Sequence, residues 1–237
     1  MQKLTITAAD LDADGVYIGT TDVTNFDGHI EIAADLGRVR FGLSLNAKGG
    51  IRALAGSGIE AGEGIEAGSG IEAGEGIKAG WGIEAGSGIE AGEGIEAGSG
   101  IEAGEGIKAG WGIEAGSGIK AGEGIKAGSD IEAGSGIKAG WGIKAGSRIE
   151  AGEGIKAGSG IEAGSGIKAG WGIEAGEGIK AGLSISAKFI TADLRIFAGL
   201  CSWRIPNNDE MQIRAVVRRG VVAFGEVVPV VAEDGGA

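Results

Sequence analysis

An isoleucine stands at every sixth position from Ile59 to Ile179, followed in turn by Glu or Lys, Ala, Gly, a variable residue and nearly always a second Gly. The stretch at 76–86 reads GIKAGWGIEAG. An α-helix is excluded, because each of the two glycines per repeat would cost roughly 1 kcal/mol relative to alanine and a six-residue period spreads isoleucine around a helix. Collagen is also excluded, since it needs glycine at every third position among many prolines, and this chain has two prolines.

Disorder is the main alternative for a tract so rich in glycine. A solvated linker, however, has no physical reason to keep a large β-branched residue at a fixed interval. In the segment Ile-Glu-Ala, two-residue alternation places Ile and Ala on one side of a strand and the charge on the other. The following Gly-x-Gly predicts a corner, at which we expect the glycines to adopt positive φ.

The repeat therefore predicts an all-β fold, a single elongated parallel β-solenoid that buries stacks of Ile and Ala. With three hexads per coil the tract would form about seven coils and a rod of roughly 34 Å, whereas two hexads would form about ten coils and roughly 50 Å. The pattern alone leaves both arrangements open. Three hexads are favoured, because a triangular cross-section leaves more room for isoleucine than a flat one.

Three segments are predicted along the rod: an N-terminal β cap at 1–55, the regular β-solenoid at 56–182, and irregular final coils with a C-terminal β cap at 183–237. The runs KLTITAAD, GVYIGTTDV, GHIEIAAD and GRVRFGLSLNA indicate strands in the first segment. The last segment continues the Ile-x-Ala theme and then indicates two or three further strands, with a turn at 206–209. Caps are expected because an open terminal coil invites edge-to-edge association.

The hexad resembles the hexapeptide repeat of left-handed β-helices, in which an aliphatic residue begins each unit and a small residue follows four positions later. That later position holds Ser69 here but also Glu63 and Trp81, and we expect it to face solvent at the corners. The Gly-x-Ile-x-Ala rhythm also looks like that of bactofilin-type β-helices, which are polymer-forming bacterial scaffold proteins. The resemblance covers the repeat alone, about half of the chain, and leaves the handedness open.

The formal net charge is −12, and the sequence holds one cysteine, Cys201. This charge argues against direct binding to nucleic acid or to an anionic membrane and favours a partner with a basic surface. A single cysteine allows neither a disulfide framework nor a four-cysteine metal site. Because the sequence shows no basic leader and no run of about 18 apolar residues, we expect a soluble, cytoplasmic protein without a metal or other cofactor.

Three short features outside the repeat are candidates for chemistry. Residues 10–15 read DLDADG, the opening of an EF-hand-like loop, but Thr21 stands where such a loop needs its bidentate Glu, so a turn is expected. His29 is the single histidine, and the resemblance to hexapeptide acyltransferases makes it a candidate base, although a surface or capping role is expected. Cys201, near Trp203 in a predicted strand, is expected to be a buried small side chain. No catalytic residue is assigned.

Two sets of exposed side chains are candidates for partner binding. One is an acidic face in the first part of the repeat, since lysines from Lys108 onwards intersperse with the later glutamates and roughly cancel them. The other is a series of tryptophans thirty residues apart, of which only Trp81 and Trp171 would align on a three-hexad coil. Repeat duplication without a binding role is the alternative for both. The acidic residues are Glu60, Glu63, Glu66, Glu72, Glu75, Glu84, Glu90, Glu93, Glu96, Glu102 and Glu105, and the tryptophans are Trp81, Trp111, Trp141 and Trp171.

These features predict a non-enzymatic protein-binding rod. Its most specific form is an acidic mimic of nucleic acid that inhibits a DNA- or RNA-binding complex or a defence complex, as a phage anti-defence protein would. In principle this is similar to the acidic pentapeptide-repeat proteins that imitate DNA, although their repeat differs. A self-associating scaffold similar to bactofilins is the main alternative, and a hexapeptide acyltransferase that binds acyl-CoA is the third.

Overall fold

Each hexad of the repeat forms a three-residue strand whose isoleucine and alanine point inward, as the alternation of its sequence predicts. The computed structural model describes residues 1–228, and their strands join into one parallel sheet that winds into a β-solenoid of about eleven turns. Ile83 pairs with Ile65 on one side and with Ile101 on the other, so a regular turn contains about 18 residues. Three hexads per coil are therefore confirmed.

Strands precede, fill and follow the regular repeat. The first are β1 (Gln2–Ile6), β2 (Gly28–Ile32), β3 (Gly37–Phe41), β4 (Leu45–Ala47), β5 (Ile51–Ala53) and β6 (Ser57–Ala61). From β7 (Ile65–Ala67), a three-residue strand recurs every six residues to β24 (Ile167–Ala169). The last described are β25 (Gly172–Ala175), β26 (Ile179–Ala181), β27 (Ile185–Phe197), β28 (Gln212–Phe224) and β29 (Glu226–Val228). Short 3₁₀ turns lie at Ala8–Asp10 and Asn208–Met211.

Successive turns stack into three faces. The first face contains β4 and every third strand from β7 to β25, and the second contains β1, β2, β5 and every third strand from β8 to β26. The third contains β3, β6 and every third strand from β9 to β24. Neighbouring strands on a face lie about 4.8 Å apart. The long strands β27 and β28 each cross the third, first and second faces in that order and form the final turns.

A column of isoleucine and alanine fills the interior. Every isoleucine of the regular repeat is at most 1 % exposed. Burying one such side chain contributes roughly 1.5–3 kcal/mol relative to leaving it in water. The same core cluster includes Ile30 and Ile51 before the repeat and Ile185, Ile190 and Ile213 after it. The predicted continuation of the Ile-x-Ala theme is thus confirmed, and the core runs without a break past residues 55 and 182.

The two glycines of each hexad have different roles. A Cβ atom on the first, such as Gly122, would lie 1.9 Å from the carbonyl oxygen of Gly104 in the preceding turn. A Cβ atom on the second, such as Gly124, would lie 3.4 Å from the carbonyl oxygen of Gly142, which is van der Waals distance. Neither glycine adopts positive φ, so the reason expected for them from the sequence is wrong. The first is required because successive turns approach too closely for any side chain.

The N-terminal turns are longer than the regular ones. Eight residues instead of six separate Ile51 from Ile59, and the additional residues form a turn in which Gly56 has a φ of 70°. Ser57 ties this turn to the one before it: its hydroxyl donates to the carbonyl oxygen of Ala33 at 2.7 Å and accepts from the amide of Leu36 at 2.9 Å. These two bonds satisfy a polar side chain that is fully buried.

Most of the terminal strands predicted from the sequence are present. KLTITAAD, GHIEIAAD and GRVRFGLSLNA contain β1, β2, β3 and β4, whereas GVYIGTTDV forms only isolated bridges, such as the one between Val16 and Arg40. The turn predicted at 206–209 overlaps the 3₁₀ turn that precedes β28. No helix among residues 1–228 has the length and apolar character that crossing a membrane requires.

The prediction for Cys201 is wrong. Cys201 lies in the loop between β27 and β28 and is only half-buried, and Trp203 in the same loop is 62 % exposed. Arg204 stacks over the Trp203 ring, with its guanidinium carbon 4.9 Å from the ring centroid. The loop departs from a strand because the chain must leave the end of β27 and return to the third face to begin β28.

This loop is expected to open at low pH. Two hydrogen bonds from the Arg204 guanidinium, and a third from the backbone amide of Asn207, lower the pKa of Glu210 to about 2. Because the pKa is lower in the folded than in the unfolded chain, the stabilisation is complete above the ordinary value of 4.5 and is lost as the pH falls towards 2. Hydrogen exchange at 204–211 should therefore accelerate, relative to the repeat, over that range. Glu210→Gln should abolish the pH dependence; an unchanged profile in this variant would contradict the assignment.

Candidate protein-binding surfaces

The negative charge of the repeat is concentrated at its N-terminal end. Residues 56–105 contain eleven glutamates and one lysine, a formal charge of −10, whereas 106–182 contain nine acidic and nine basic residues. We call these eleven glutamates the acidic belt, because they are distributed over all three faces and the corners of the rod. The first face carries Glu66, Glu84 and Glu102, the second Glu72 and Glu90, the third Glu60 and Glu96, and the corners Glu63, Glu75, Glu93 and Glu105.

Five glutamates of the acidic belt form ion pairs within the chain. Their partners are Arg38 for Glu60 (3.4 Å), Arg52 for Glu72 (3.1 Å), Lys78 for Glu96 (2.7 Å), Lys108 for Glu90 and Lys120 for Glu102. The other six have no ion-pair partner among residues 1–228. These carboxylates, which are available to a basic partner, are Glu63, Glu66, Glu75, Glu84, Glu93 and Glu105.

Beyond the acidic belt, lysines and glutamates that intersperse along the sequence separate onto different faces. The middle of the rod is consequently basic on two faces and acidic on the third, so charges that cancel in the sequence do not cancel in space. Reading the charged position of every third hexad reveals this separation, but it requires knowing that a turn contains three hexads. The first face carries Lys120, Lys138 and Lys156, the second Lys108, Lys126 and Lys144, and the third Glu114, Glu132 and Glu150.

A glutamate lies directly before and directly after each of the two lysine triplets. On the first face the outer lysines pair with Glu102 and Glu174, and on the second face they pair with Glu90 and Glu162. The central lysines, Lys126 and Lys138, have lysines directly above and below them and no ion-pair partner among the described residues. Like charges stacked at strand spacing repel each other and reduce stability. Because neither amine is paired within the described residues, both are available to an external anion.

Glu162 is held by two lysines on the second face. The ammonium groups of Lys144 and Lys180 each donate to its carboxylate at 3.1 Å. These hydrogen bonds, the one from Lys144 more than the one from Lys180, lower the pKa of Glu162 below its usual value. The carboxylate therefore stays charged at neutral pH and belongs to an internal cluster.

Two exceptions to the second glycine of the hexad lie in adjacent turns. Asp130 and Arg148 are one turn apart, and the backbone amide of Arg148 donates to the Asp130 carboxylate at 2.8 Å. The Arg148 guanidinium also contacts Glu132 at 3.1 Å and Glu150 at 3.4 Å on the third face. Both side chains fit because this position, unlike that of the first glycine, has room for a Cβ atom.

The four repeat tryptophans lie on corners, as expected, and are 56 to 64 % exposed. Trp81 and Trp171 share the corner that precedes the first face, five turns apart, whereas Trp111 and Trp141 lie on the other two corners. The alignment of Trp81 with Trp171 alone is what a three-hexad coil predicts. The Trp171 ring already makes a cation–π contact within the chain, since the Lys188 ammonium lies 4.5 Å from its ring centroid.

The short features outside the repeat have structural roles. Asp10 accepts from the amide and hydroxyl of Thr7, and Asp12 accepts from the amides of Asp14 and Val16, so these carboxylates form turns. The Nδ1 atom of His29 accepts from the amide of Gly50 at 2.9 Å, which joins neighbouring turns. Within residues 1–228, no group of three or more His, Cys, Asp or Glu side chains is placed to hold a metal ion.

Comparison with known proteins adds no assignment. No protein-family model matches the chain, and no curated protein or solved structure matches it significantly. The likeness to hexapeptide and bactofilin repeats therefore rests on the hexad alone, and any function must be argued from the surfaces described above.

Proposed function

We propose that this protein is a non-enzymatic binding rod whose acidic belt imitates nucleic acid towards a protein with a basic surface. The partner class is a DNA- or RNA-binding complex, including complexes of cellular defence, which the rod would inhibit by occupying the nucleic-acid groove. The aromatic anchors on the corners would add apolar contacts at its margins.

The density of negative charge is the observation that carries this proposal. A regular turn advances about 4.8 Å, so residues 56–105 extend over roughly 13 Å of the rod. With a formal charge of −10, this segment has about one negative charge per 1.3 Å; the four cations outside it that pair with its glutamates (Arg38, Arg52, Lys108 and Lys120) reduce this to −6, about one per 2.2 Å, and duplex DNA has one per about 1.7 Å. A groove that attracts DNA through lysine and arginine would therefore meet a comparable field at the acidic belt.

The proposal predicts competition between this protein and duplex DNA. A DNA-binding protein that the immobilised rod captures from a cell lysate should be released by unlabelled duplex. It should also be released by salt rising from about 0.05 to 0.5 M, since ionic contacts are screened over this range. Release by neither would contradict a nucleic-acid mimic. Filaments in electron micrographs of the purified chain, without any partner, would support the bactofilin-like scaffold instead.

Corner glutamates provide a matched pair of variants. The triple variant Glu75→Gln, Glu93→Gln and Glu105→Gln removes three unpaired carboxylates of the acidic belt, and we expect at least about 10-fold weaker capture, at roughly 0.5 kcal/mol or more per contact. The control, Glu123→Gln, Glu153→Gln and Glu177→Gln, removes the same charge from the same position of the hexad in the neutral half and should bind nearly as the parent does. Equal losses in both variants would mean that only net charge matters.

A further inference from the structure

The first face carries a charge sequence that is its own complement when reversed. Its six central turns present three carboxylates and then three amines, one in each turn and all in register. Read from the opposite end, every carboxylate coincides with an amine. The series is Glu66, Glu84, Glu102, Lys120, Lys138 and Lys156.

We propose that two copies of the chain associate through their first faces with their rods antiparallel. The two-fold axis lies in the interface, along the strand direction, between the turns of Glu102 and Lys120. Glu66 then faces Lys156 of the partner subunit, Glu84 faces Lys138 of the partner subunit, and Glu102 faces Lys120 of the partner subunit. Each contact occurs twice because the interface is isologous.

The charges on the strands of the first face, in contrast to those on its corners, favour this orientation and this face. Parallel rods in the same register would place every glutamate opposite a glutamate and every lysine opposite a lysine, which is repulsive. The same antiparallel operation on the second face matches two successive pairs, Glu90 with Lys108 and Glu72 with Lys126, and then opposes Arg52 to Lys144. The third face also matches at most two successive pairs, Glu60 with Lys78 and Arg40 with Glu96. Only the first face matches three successive pairs.

The geometry of the first face suits a direct contact. Packed sheets lie about 10 Å apart, a gap that a glutamate and a lysine side chain span together. Glu84 and Lys138 have no ion-pair partner among residues 1–228, and the proposed dimer pairs them with each other. These two positions therefore gain new ion pairs without breaking any within the chain. Glu102 and Lys120 already pair with each other, and Lys156 pairs with Glu174, so their contacts with the partner subunit exchange or share existing ion pairs.

The corner beside the first face is also complementary in size. Trp81 borders a shallow groove along this face, and Ser135 lies on the same corner three turns further on. The two-fold operation brings Trp81 of one copy opposite Ser135 of the partner subunit, where a small residue leaves room for the indole. On the two corners of this face it also sets Glu63 opposite Glu153 of the partner subunit and Glu105 opposite Glu123 of the partner subunit, and these like charges weaken the contact. Trp81 thus obtains a role that its thirty-residue spacing does not reveal.

The contact is small and ionic. Seven strand spacings of about 4.8 Å and a face about 15 Å wide offer on the order of 500 Å² per copy, at the low end for a specific interface. We therefore expect a weak dimer that forms at low ionic strength and dissociates as salt screens the charges. This inference goes beyond the binding function proposed above and does not depend on it.

Sedimentation equilibrium of the purified chain tests the contact. The parent should be a dimer at about 0.02 M salt and a monomer at about 0.5 M. The variant Lys120→Glu, Lys138→Glu and Lys156→Glu should lower the association constant at least about 100-fold, and so should Glu66→Lys, Glu84→Lys and Glu102→Lys. Mixing the two variants should restore a dimer, now composed of one of each, because one face is all acidic and the other all basic.

A matched control separates this contact from net charge. Lys108→Glu, Lys126→Glu and Lys144→Glu make the same change on the second face and should leave the dimer intact. A parent that remains monomeric at low salt, a control that dissociates as fully as the first-face variant, or a mixture that fails to associate would each overturn the proposal. The variants in which lysine is replaced by glutamate leave every residue of the acidic belt in place. Loss of the dimer and loss of partner capture are therefore separate results.

Zero-length carbodiimide cross-linking tests the orientation. Glu84 and Lys138 lie three turns apart in one chain, about 14 Å, too far for an amide bond between them. An amide bond between Glu84 and Lys138 must therefore connect two copies. In a mixture of isotopically light and heavy protein, we expect cross-linked peptides that join one light and one heavy chain. Cross-links on other faces only, or their growth into chains longer than a dimer, would contradict an antiparallel closed pair.

Discussion

Gly122→Ala is expected to destabilise the solenoid by about 3 kcal/mol, whereas Gly124→Ala, two residues away, should be neutral or slightly stabilising. The Cβ atom at 122 would lie 1.9 Å from the carbonyl oxygen of Gly104, and neither residue can move away, because the backbone amides of both donate hydrogen bonds to the preceding turn. At 124 the nearest atom is 3.4 Å away, and the substitution mainly reduces the freedom of the unfolded chain.

Chemical denaturation together with hydrogen exchange of the surrounding turns measures both effects. Exchange is the more informative of the two, because a solenoid unfolds in local units and a single global transition is not assured. Similar losses in the two variants would show that glycine is needed at both positions for backbone conformation. Protection that falls only around 104–122 in Gly122→Ala would support the close approach of the turns.

Ile125→Ala is expected to cost about 3–4 kcal/mol, near the middle of the range for large-to-small changes in a core. Ile125 is 1 % exposed, and the interior cannot collapse around the cavity, because hydrogen bonds between turns hold the strands about 4.8 Å apart. Ile18→Ala is the control: this side chain is 61 % exposed, and its loss should change stability by less than about 0.5 kcal/mol. Comparable effects of the two substitutions would mean that the isoleucine column is not the principal source of stability.

The interior side chains are the same in every regular hexad, whereas the exposed charged side chains differ from one hexad to the next. Each regular hexad supplies the same Ile and Ala to the interior, so packing does not distinguish one face from another. The second position of the hexad, in contrast, holds Glu66 on the first face and Lys126 on the second, and its neighbours are set by the length of a turn. The binding surfaces can therefore vary while the fold remains constant, as is usual for solenoids.

The hexad alone determined the strands, the inward isoleucine and alanine, the outward charge and the exposed corners, because two-residue alternation and a fixed period are local properties of the chain. It also excluded helix and collagen. The loop at Cys201 and the bridges of GVYIGTTDV departed from their local strand patterns, since each segment connects two strands that lie in neighbouring turns.

The tertiary structure decided what the period leaves open. Eighteen-residue turns place Glu84 beside Glu66 and Lys138 beside Lys156, although neither pair is close in the sequence. The number of hexads per turn thus distributed the acidic stretch over all three faces and sorted the interspersed charges that follow it into two lysine triplets and a self-complementary face. It also showed why one glycine of each hexad tolerates no side chain. These properties arise from contacts about 18 residues apart, and no local pattern specifies them, because the physical neighbour of each residue is the one in the next turn.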